Sequence, residues 1–367
     1  MKVLFIHNSL AEYRLDFWRR LGNYVDMTIL VMQPDTDAKI YGLEKDSARL
    51  TVMYFSGMKK LKETLSQGFE RVILPPSDSV WLYAQARFIQ QYCLRNAIPV
   101  YYWTEKWEPP KNAQPLGRKI KNAVLRYMIY TLCKQCTRCI AAGSKSKDYL
   151  ISIGIPKEKI SVAIDASTSP LGKNDIDVRM TYSIPPDAKV ILFLGRILER
   201  KGIMELLQAF ERLSATDDSV WLLIAGDGAL RPICEQFVCK HKIPRCIFAG
   251  KVQPATRRSF FTAADVFCLP SNIDRGRVDI WRLTVNEALE CGTPVIATTG
   301  VGAAYDVLDE KTGAMVSANS IDALYSALLQ WTKQKKTIEV SEACKARYAQ
   351  FSTKQMAKAF YNALEIE

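Results

Sequence analysis

The stretch DIWRLTVNEALECGTPVIATTGVG, residues 279–302, sets one carboxylate, Asp279, ahead of a tryptophan and a second, Glu287, about one turn into a short helical pattern. Leu283 to Cys291 carries that pattern, which Gly292 and the Thr293-Pro294 pair stop before the apolar run VIATT. A bend between the two acids would aim both at one point. Glu287 would then accept hydrogen bonds from vicinal hydroxyls and Asp279 would reach another polar group, with the helix N-terminus at Leu283 and Thr284 facing a phosphate. On these residues alone, solvated acids on a helix surface are the commoner arrangement.

Three further turns carry related chemistry. FLGRILERKG, residues 193–202, ends a strand at Gly195 and begins a helix near Gly202, with Arg196 and Lys201 on the turn. Two cations beside free helix N-terminal amides suit a diphosphate by charge, hydrogen bonds and dipole together. A solvated basic loop is the equal alternative, and no P-loop pattern is present. IAGDGALR, residues 224–231, ends another strand in the Gly226-Asp227-Gly228 turn, where glycines allow close approach of a ligand to the backbone. FAGKV, residues 248–252, puts Lys251 and Val252 at a strand end whose main chain holds a base or serves as plain connection. His7 and His241 are the only histidines, and both read as structural or peripheral. CKQCTRC spaces Cys133, Cys136 and Cys139 three apart, but a fourth ligand is missing and the helical pattern runs on. Small core residues are the plainer reading there than a metal site.

These turns need a scaffold. KVLFIHNSL, EYRLDFWRRLGN and VDMTILVMQ alternate strand, helix and strand, and further apolar runs recur at RVILPP, IPVYYW, CIAAG and ISVAI. The alternation predicts one parallel α/β domain over residues 1–170. DASTSPLGKNDIDVRMTYSIPPDA, rich in turn and polar residues, reads as a boundary. The pattern restarts at KVILFLGR, giving a second α/β domain over residues 171–345, and an amphipathic helix at about 345–367 is expected to pack back on the first. Two doubly wound domains place ligands at the carboxyl ends of their strands, in a cleft that the two face.

Composition narrows the partners. The chain has 367 residues, 48% hydrophobic and 24% charged, as in a globular protein of two domains. No apolar run approaches the roughly 20 residues needed to cross a bilayer, and MKVLFIHNSL lacks a signal-peptide cleavage pattern. Ten cysteines without a secretory signal point to reduced thiols, and a cytoplasmic location is expected. Fifty Lys and Arg against 38 Asp and Glu leave a formal charge of +12, which favours an anionic partner. No zinc-finger, RNP-type or homeodomain pattern appears, so nucleic acid has no support beyond charge. PPKNAQPLGRKIKNAVLRYMIY, residues 109–130, joins basic residues to an apolar face of Ile120, Val124, Tyr127 and Met128. Such a helix either rests on an anionic membrane surface or is an ordinary surface helix with a core stripe.

The order LGRILERKG, IAGDGALR, FAGKV, LPS and then DIWRLTVNEALECGTPVIA resembles the retaining glycosyltransferases of family 4, which have the GT-B fold of two Rossmann-like domains. Their signature is an acid, seven residues and a Glu, followed by Ala and a Gly-x-Pro-Val turn; the match runs over about residues 190–310. The resemblance implies that Arg196 and Lys201 bind a donor diphosphate, that Glu287 takes the ribose hydroxyls, and that Asp279 stands near the donor sugar. Gly195, Gly226, Asp227, Gly228, Lys251, Val252, Arg282, Leu283 and Thr284 would surround nucleotide and sugar. NSLAEYRLDFWRRL resembles the family's first loop and helix less closely, and would bring Asn8, Ser9 and Arg14 toward donor phosphates or acceptor. Glu105, after a strand and among Tyr102, Trp103 and Trp107, is the candidate for touching the reacting hydroxyl, with a buried salt-bridged Glu as the alternative. Three departures bear on donor identity: Asp279 where the family has Glu, Arg282 where it has Gly, and the basic loop NIDRGRV between Ser271 and Asp279.

What the resemblance implies is transfer of a sugar, with retention, from a nucleotide diphosphate-sugar co-substrate to a glycan or lipid-linked glycan acceptor in cell-surface polysaccharide synthesis. The family's scheme is front-face displacement without metal or other cofactor, in which the departing phosphate helps deprotonate the acceptor. A sugar-nucleotide epimerase on the same fold and a degenerate, non-catalytic membrane-surface scaffold are the rival readings.

Overall fold

Apolar runs such as VLFI and ILFL have no polar face, as strands covered by helices on both sides require. In the computed structural model, residues 1–33, 51–77, 79–109, 114–167, 176–275, 277–333 and 335–366 are described. Most of the predicted boundary segment before 176, and residues 110–113 of the basic segment, lie outside them. The chain divides into two compact units: Met1–Trp107, Leu116–Ser167 and Ser352–Glu367 form the first, Glu108–Pro115 and Thr168–Phe351 the second.

The first unit is built on seven strands: β1 (Lys2–His7), β2 (Asp26–Val31), β3 (Thr51–Tyr54), β4 (Arg71–Leu74), β5 (Val100–Thr104), β6 (Arg138–Ala141) and β7 (Ile160–Val162). They lie in the order β3-β2-β1-β4-β5-β6-β7, every pair parallel. The helix Thr353–Glu365 completes this unit. It buries Met356, Ala357, Phe360, Ala363 and Leu364 in one cluster with Phe5, Phe17 and Trp18, and the Phe17 and Phe360 rings are 4.9 Å apart. The returning segment was expected from about residue 345; it begins at Ser352. The preceding helix, Ile338–Gln350, stays with the second unit because Cys344 is buried there and Arg347 donates to the Val307 carbonyl.

The helix Leu116–Gln135 divides its apolar residues between two directions. Met128, Ile129, Leu132 and Cys133 are buried, whereas Leu116, Ile120, Val124 and Tyr127 are 53–74% exposed. Met128, one turn beyond Val124, is buried while Ile120, Val124 and Tyr127 are exposed, so the expected stripe is covered only at its C-terminal end. Cys133, Cys136 and Cys139 are free and buried, and no group of residues that could hold a metal occurs among the described residues. No helix among them is long and apolar enough to cross a membrane.

The second unit has β8 (Lys189–Leu194), β9 (Val220–Ala225), β10 (Cys246–Gly250), β11 (Val266–Leu269), β12 (Val295–Thr298) and β13 (Gly313–Val316), in the parallel order β10-β9-β8-β11-β12-β13. Both units are thus doubly wound α/β sheets, the two halves of a GT-B fold. In each, the strand order reverses beside the first strand, at β1/β4 and at β8/β11. Such a reversal opens a crevice at the carboxyl ends, because the flanking connections leave in opposite directions.

Truncating the returning helix in the core of the first unit tests its place. Phe360→Ala should cost about 3–5 kcal/mol, the usual penalty for a buried phenylalanine, read as a lower urea midpoint; a midpoint equal to wild type would mean that this helix is not part of the first core.

Candidate functional site

At the reversal in the second sheet, β8 runs into Gly195 and Arg196 and then the single 3-10 turn Glu199–Lys201. Gly202 follows in the left-handed region, φ 66°, and a Cβ there would fall 1.8 Å from the Pro270 carbonyl oxygen just beyond β11. Only glycine lets the two strand ends lie that close, and the contact seats Lys201 beside the β11 turn. Lys201 is buried with its ammonium 2.6 Å from Asp279 Oδ2. Arg200 Nη1 donates to Oδ1 at 2.6 Å, Arg282 Nη2 donates to the same oxygen, and the Ser271 hydroxyl donates to Oδ2.

The main chain holds Asp279 as firmly as its side chain does. Its N–H donates to the Gly300 carbonyl at 2.9 Å and its carbonyl accepts from Gly302 N–H at 3.0 Å. The basic loop NIDRGRV makes that pairing reachable by folding on itself: Asp274 and Arg277 exchange backbone hydrogen bonds at 3.1 and 2.7 Å, and their side chains form an ion pair at 2.7 Å. Asp279, expected near a donor sugar, is 2% exposed. A carboxylate offers about four lone-pair positions, and four donors occupy them. It is the anion beneath a group of cations rather than a free acceptor of hydroxyls.

Arg196 is exposed and makes no hydrogen bond or ion pair among the described residues. Burial, together with repulsion from Arg200 and Arg196, pushes Arg282 down to about 10. A lysine ammonium has three N–H groups, and Asp279 takes one from Lys201. The site therefore keeps cationic donors in hand. Around the start of the helix Leu283–Glu290, Trp281 Nε1, Arg282 Nε, Thr284 Oγ1 and Asn272 Oδ1 are buried without a hydrogen-bond partner. Each such group costs about 1–3 kcal/mol unless something completes it.

Glu287 lies in that helix, 2% exposed, and both its oxygens accept from Arg257 Nη1, at 3.0 and 3.1 Å. Gly226 and Gly228 follow β9 in the positive-φ region, and their would-be Cβ atoms collide with the carbonyl oxygens of Gly195 and Ile197, at 1.8 and 2.3 Å. The close approach they permit is of the β9 turn to the β8 turn, where Ile197 N–H donates to the Asp227 carbonyl at 2.9 Å. Asp227 caps its own turn through Gly228 N–H. Lys251 is exposed and Val252 half-buried just after β10.

The first unit carries a separate charged group. Arg14 is buried and bidentate on Asp165, and its Nη2 also donates to Glu105 Oε1 at 2.5 Å. Its guanidinium lies 4.6 Å from the Trp103 ring centroid. Arg14 was expected to reach phosphates or acceptor; its charge is instead shared between two carboxylates. Glu105, about one-third exposed on its side chain, is pushed up to about 7 by burial and by Asp165, against the pull of Arg14. His7 is pushed down to about 4 by burial and by Arg14, so at neutral pH it is an uncharged packing residue between Trp18 and Trp103. Asn8 and Ser9 are half-buried at the end of β1, with side chains that make no hydrogen bond among the described residues.

Arg200, Ser271, Arg257 and Asp165 were not singled out by sequence reasoning. Arg200 had a signal, since it precedes Lys201 in ERKG; Asp165 sat at the head of a segment that read as boundary.

Residues 177–349 match the family model described as "Glycosyl transferases group 1". The match takes in most of the second unit. The group 1 match takes in the β8 turn, Asp279, Arg282 and Glu287. At 27% identity over 194 residues, about half of each chain, the protein is similar to the lipopolysaccharide 1,2-N-acetylglucosaminetransferase of Salmonella typhimurium. At 26% identity over 256 residues, 65% of this chain and 62% of the other, it is similar to an uncharacterized glycosyltransferase of Methanocaldococcus jannaschii. The chain thus spans between half and two thirds of the length of these curated relatives. Among solved structures, HepE from Anabaena in complex with UDP is similar at a TM-score of 0.76 and 15% identity, with 99% of each chain covered. That last likeness is one of fold.

Neutralising the central anion should undo the cluster. Asp279→Asn leaves Arg200, Lys201 and Arg282 without their shared counter-charge and should cost about 3–5 kcal/mol, as breaking a buried ion pair does. Thermal unfolding reads it, and an unshifted Tm would show that the cations do not depend on Asp279.

Proposed function

We propose that the protein is a retaining glycosyltransferase of family 4. It moves a sugar from a nucleotide diphosphate-sugar to a glycan or lipid-linked glycan acceptor, in cell-surface polysaccharide synthesis on the cytoplasmic side of a membrane. One observation carries the reading: four cations, Arg196, Arg200, Lys201 and Arg282, gather at the carboxyl-end reversal of the second sheet, inside the segment that matches the group 1 family. A diphosphate is the ligand such a group suits.

In this mechanism Arg196 and Lys201 hold the diphosphate and neutralise the charge that grows on it as the sugar leaves. Asp279 fixes Lys201, Arg200 and Arg282 in place, a positioning role. Glu287, steadied by Arg257, takes the ribose hydroxyls, and Lys251 and Val252 border the base. Glu105, the solvent-reached member of its trio, binds the acceptor hydroxyl, with Asn8 and Ser9 at the end of β1, two strands away in the sheet. The rate comes from orientation and from charge stabilisation in fixed positions, and the scheme needs no metal or cofactor. The Anabaena neighbour's UDP supports a uridine donor as the first to try.

A thermal-shift panel of UDP, GDP and ADP and their sugars tests the donor. The recognised nucleotide at a hundred times its Kd should add about 2.7 kcal/mol to stability, and no shift with any of them would sink the reading. Arg196→Ala should leave Tm nearly in place, since Arg196 makes no hydrogen bond or ion pair among the described residues, and lower kcat/KM about 100- to 1,000-fold; unchanged turnover removes the diphosphate assignment.

The exposed stripe Leu116, Ile120, Val124 and Tyr127, on a helix that also carries Arg118, Lys119 and Lys121, supports an anionic membrane surface as a second partner. Apolar burial and attraction to anionic lipid act together on such a helix. Cosedimentation with anionic vesicles at low salt is expected and should be lost in Ile120→Glu/Val124→Glu. Wild-type protein that stays in the supernatant at low salt would rule the surface out.

A further inference from the structure

The donor pocket of the second unit holds more positive charge than a diphosphate needs. Arg200, Lys201 and Arg282 all donate to the single carboxylate of Asp279, and Arg196 acts electrostatically on Asp279 and Arg282 alike. Four cations meet one anion. Three neighbouring acids are engaged elsewhere: Glu205 accepts from Asn272 at 2.6 Å, Asp274 pairs with Arg277, and Glu287 with Arg257; Glu199, on the turn that carries Arg200 and Lys201, is exposed and makes no ion pair among the described residues. Among the described residues none of these three forms an ion pair with Arg196, Arg200, Lys201 or Arg282. The diphosphate of a nucleotide-sugar is a diester with two negative charges at neutral pH, so its arrival would still leave one positive charge over.

The surplus has an address. Lys201 and Arg196 stand on the β8 turn, whereas Arg282 stands at the N-cap of the helix Leu283–Glu290. Asp279 engages one Nη of Arg282, and Arg282 Nε is buried without a partner, as are Trp281 Nε1 and Thr284 Oγ1 on either side of it in sequence. A guanidinium presents its N–H groups as a planar fork that matches a carboxylate through two parallel hydrogen bonds, and a neutral hydroxyl uses neither the fork nor the charge.

We propose that the donor sugar is itself anionic: a nucleotide diphosphate-sugar bearing a carboxylate, a uronate in the simplest case, which pairs with Arg282 and Arg200 while Arg196 and Lys201 hold the diphosphate. This rests on the donor-site reading above and narrows it to one class of sugar. Arg282 then acts as a specificity residue, and its guanidinium stands where bare glycine backbone would serve a neutral sugar.

Matched donors that share a base and differ only at C6 test the proposal without an acceptor, so that an anionic acceptor cannot supply the effect. Kd is measured by calorimetry for UDP-glucose against UDP-glucuronate, UDP-galactose against UDP-galacturonate, and GDP-mannose against GDP-mannuronate, with UDP, GDP and ADP alone beside them. On the recognised base, one uronate should bind about tenfold or more tighter than its neutral partner, the size of one charge-assisted hydrogen bond. Arg282→Gln should bring that ratio to within roughly threefold of unity. The ratio is the readout because a lost phosphate contact or a folding defect weakens both members of a pair. A neutral sugar that binds as tightly as its uronate, or a preference that survives in both Arg282→Gln and Arg200→Gln, overturns the proposal while nucleoside diphosphate binding leaves the donor site standing. Absence of binding by every nucleotide overturns both.

Discussion

A single buried carboxylate ties together the parts of the second unit that would otherwise repel. Asp279 is reached from the β8 turn by Arg200 and Lys201, from the end of β11 by Ser271, and from the start of the following helix by Arg282. Each of these cations loses water on folding, and one anion returns only part of that cost. The arrangement persists because the backbone imposes it. Gly202 presses the β8 turn onto Pro270, and Asp279 is hydrogen-bonded at both its N–H and its carbonyl to the turn after β12.

The first unit shows the opposite balance. There one guanidinium, Arg14, is shared by two carboxylates, and Asp165, wholly buried, holds it from behind. Glu105 is left as the partly exposed member of the trio, and burial, with the Asp165 charge beside it, holds its proton up to about 7. A sheet end with excess anion suits a neutral, proton-donating hydroxyl; a sheet end with excess cation suits a phosphate. The two strand ends thus differ in the sign of their excess charge, which is the difference that the proposed acceptor and donor sites would use.

Much of the fold was legible because parallel strands covered on both faces must be apolar runs. The two strands that no such run announced, TVMY and GAMV, are β3 and β13, and both lie at sheet edges, where one side has no strand to pair with and residues are half-exposed. The helix expected from Leu283 to Cys291 spans Leu283–Glu290. Charge pairing was far less legible. Lys201 and Asp279 were each singled out, yet their contact joins residues 78 apart in sequence, and nothing local distinguishes an acid that faces a ligand from one that faces a lysine. Gly226 and Gly228 were recognised as sites of close approach, but what approaches is a carbonyl of the adjoining turn. Spacing reports that a side chain is intolerable at a position without saying what would strike it.

The return of residues 352–367 to the first unit has a consequence for how the protein is made. The Phe5, Phe17 and Trp18 cluster is closed by Met356, Phe360 and Leu364, so a nascent chain exposes an open apolar seam while the whole of the second unit is still being synthesised. At ribosomal speeds of about 5–20 residues per second, that interval is roughly 10 to 40 seconds. The second unit is nearly continuous in sequence and has its own core ready before then. The unit that is begun first is therefore finished last, and its apolar groove stays open until the returning helix has been made.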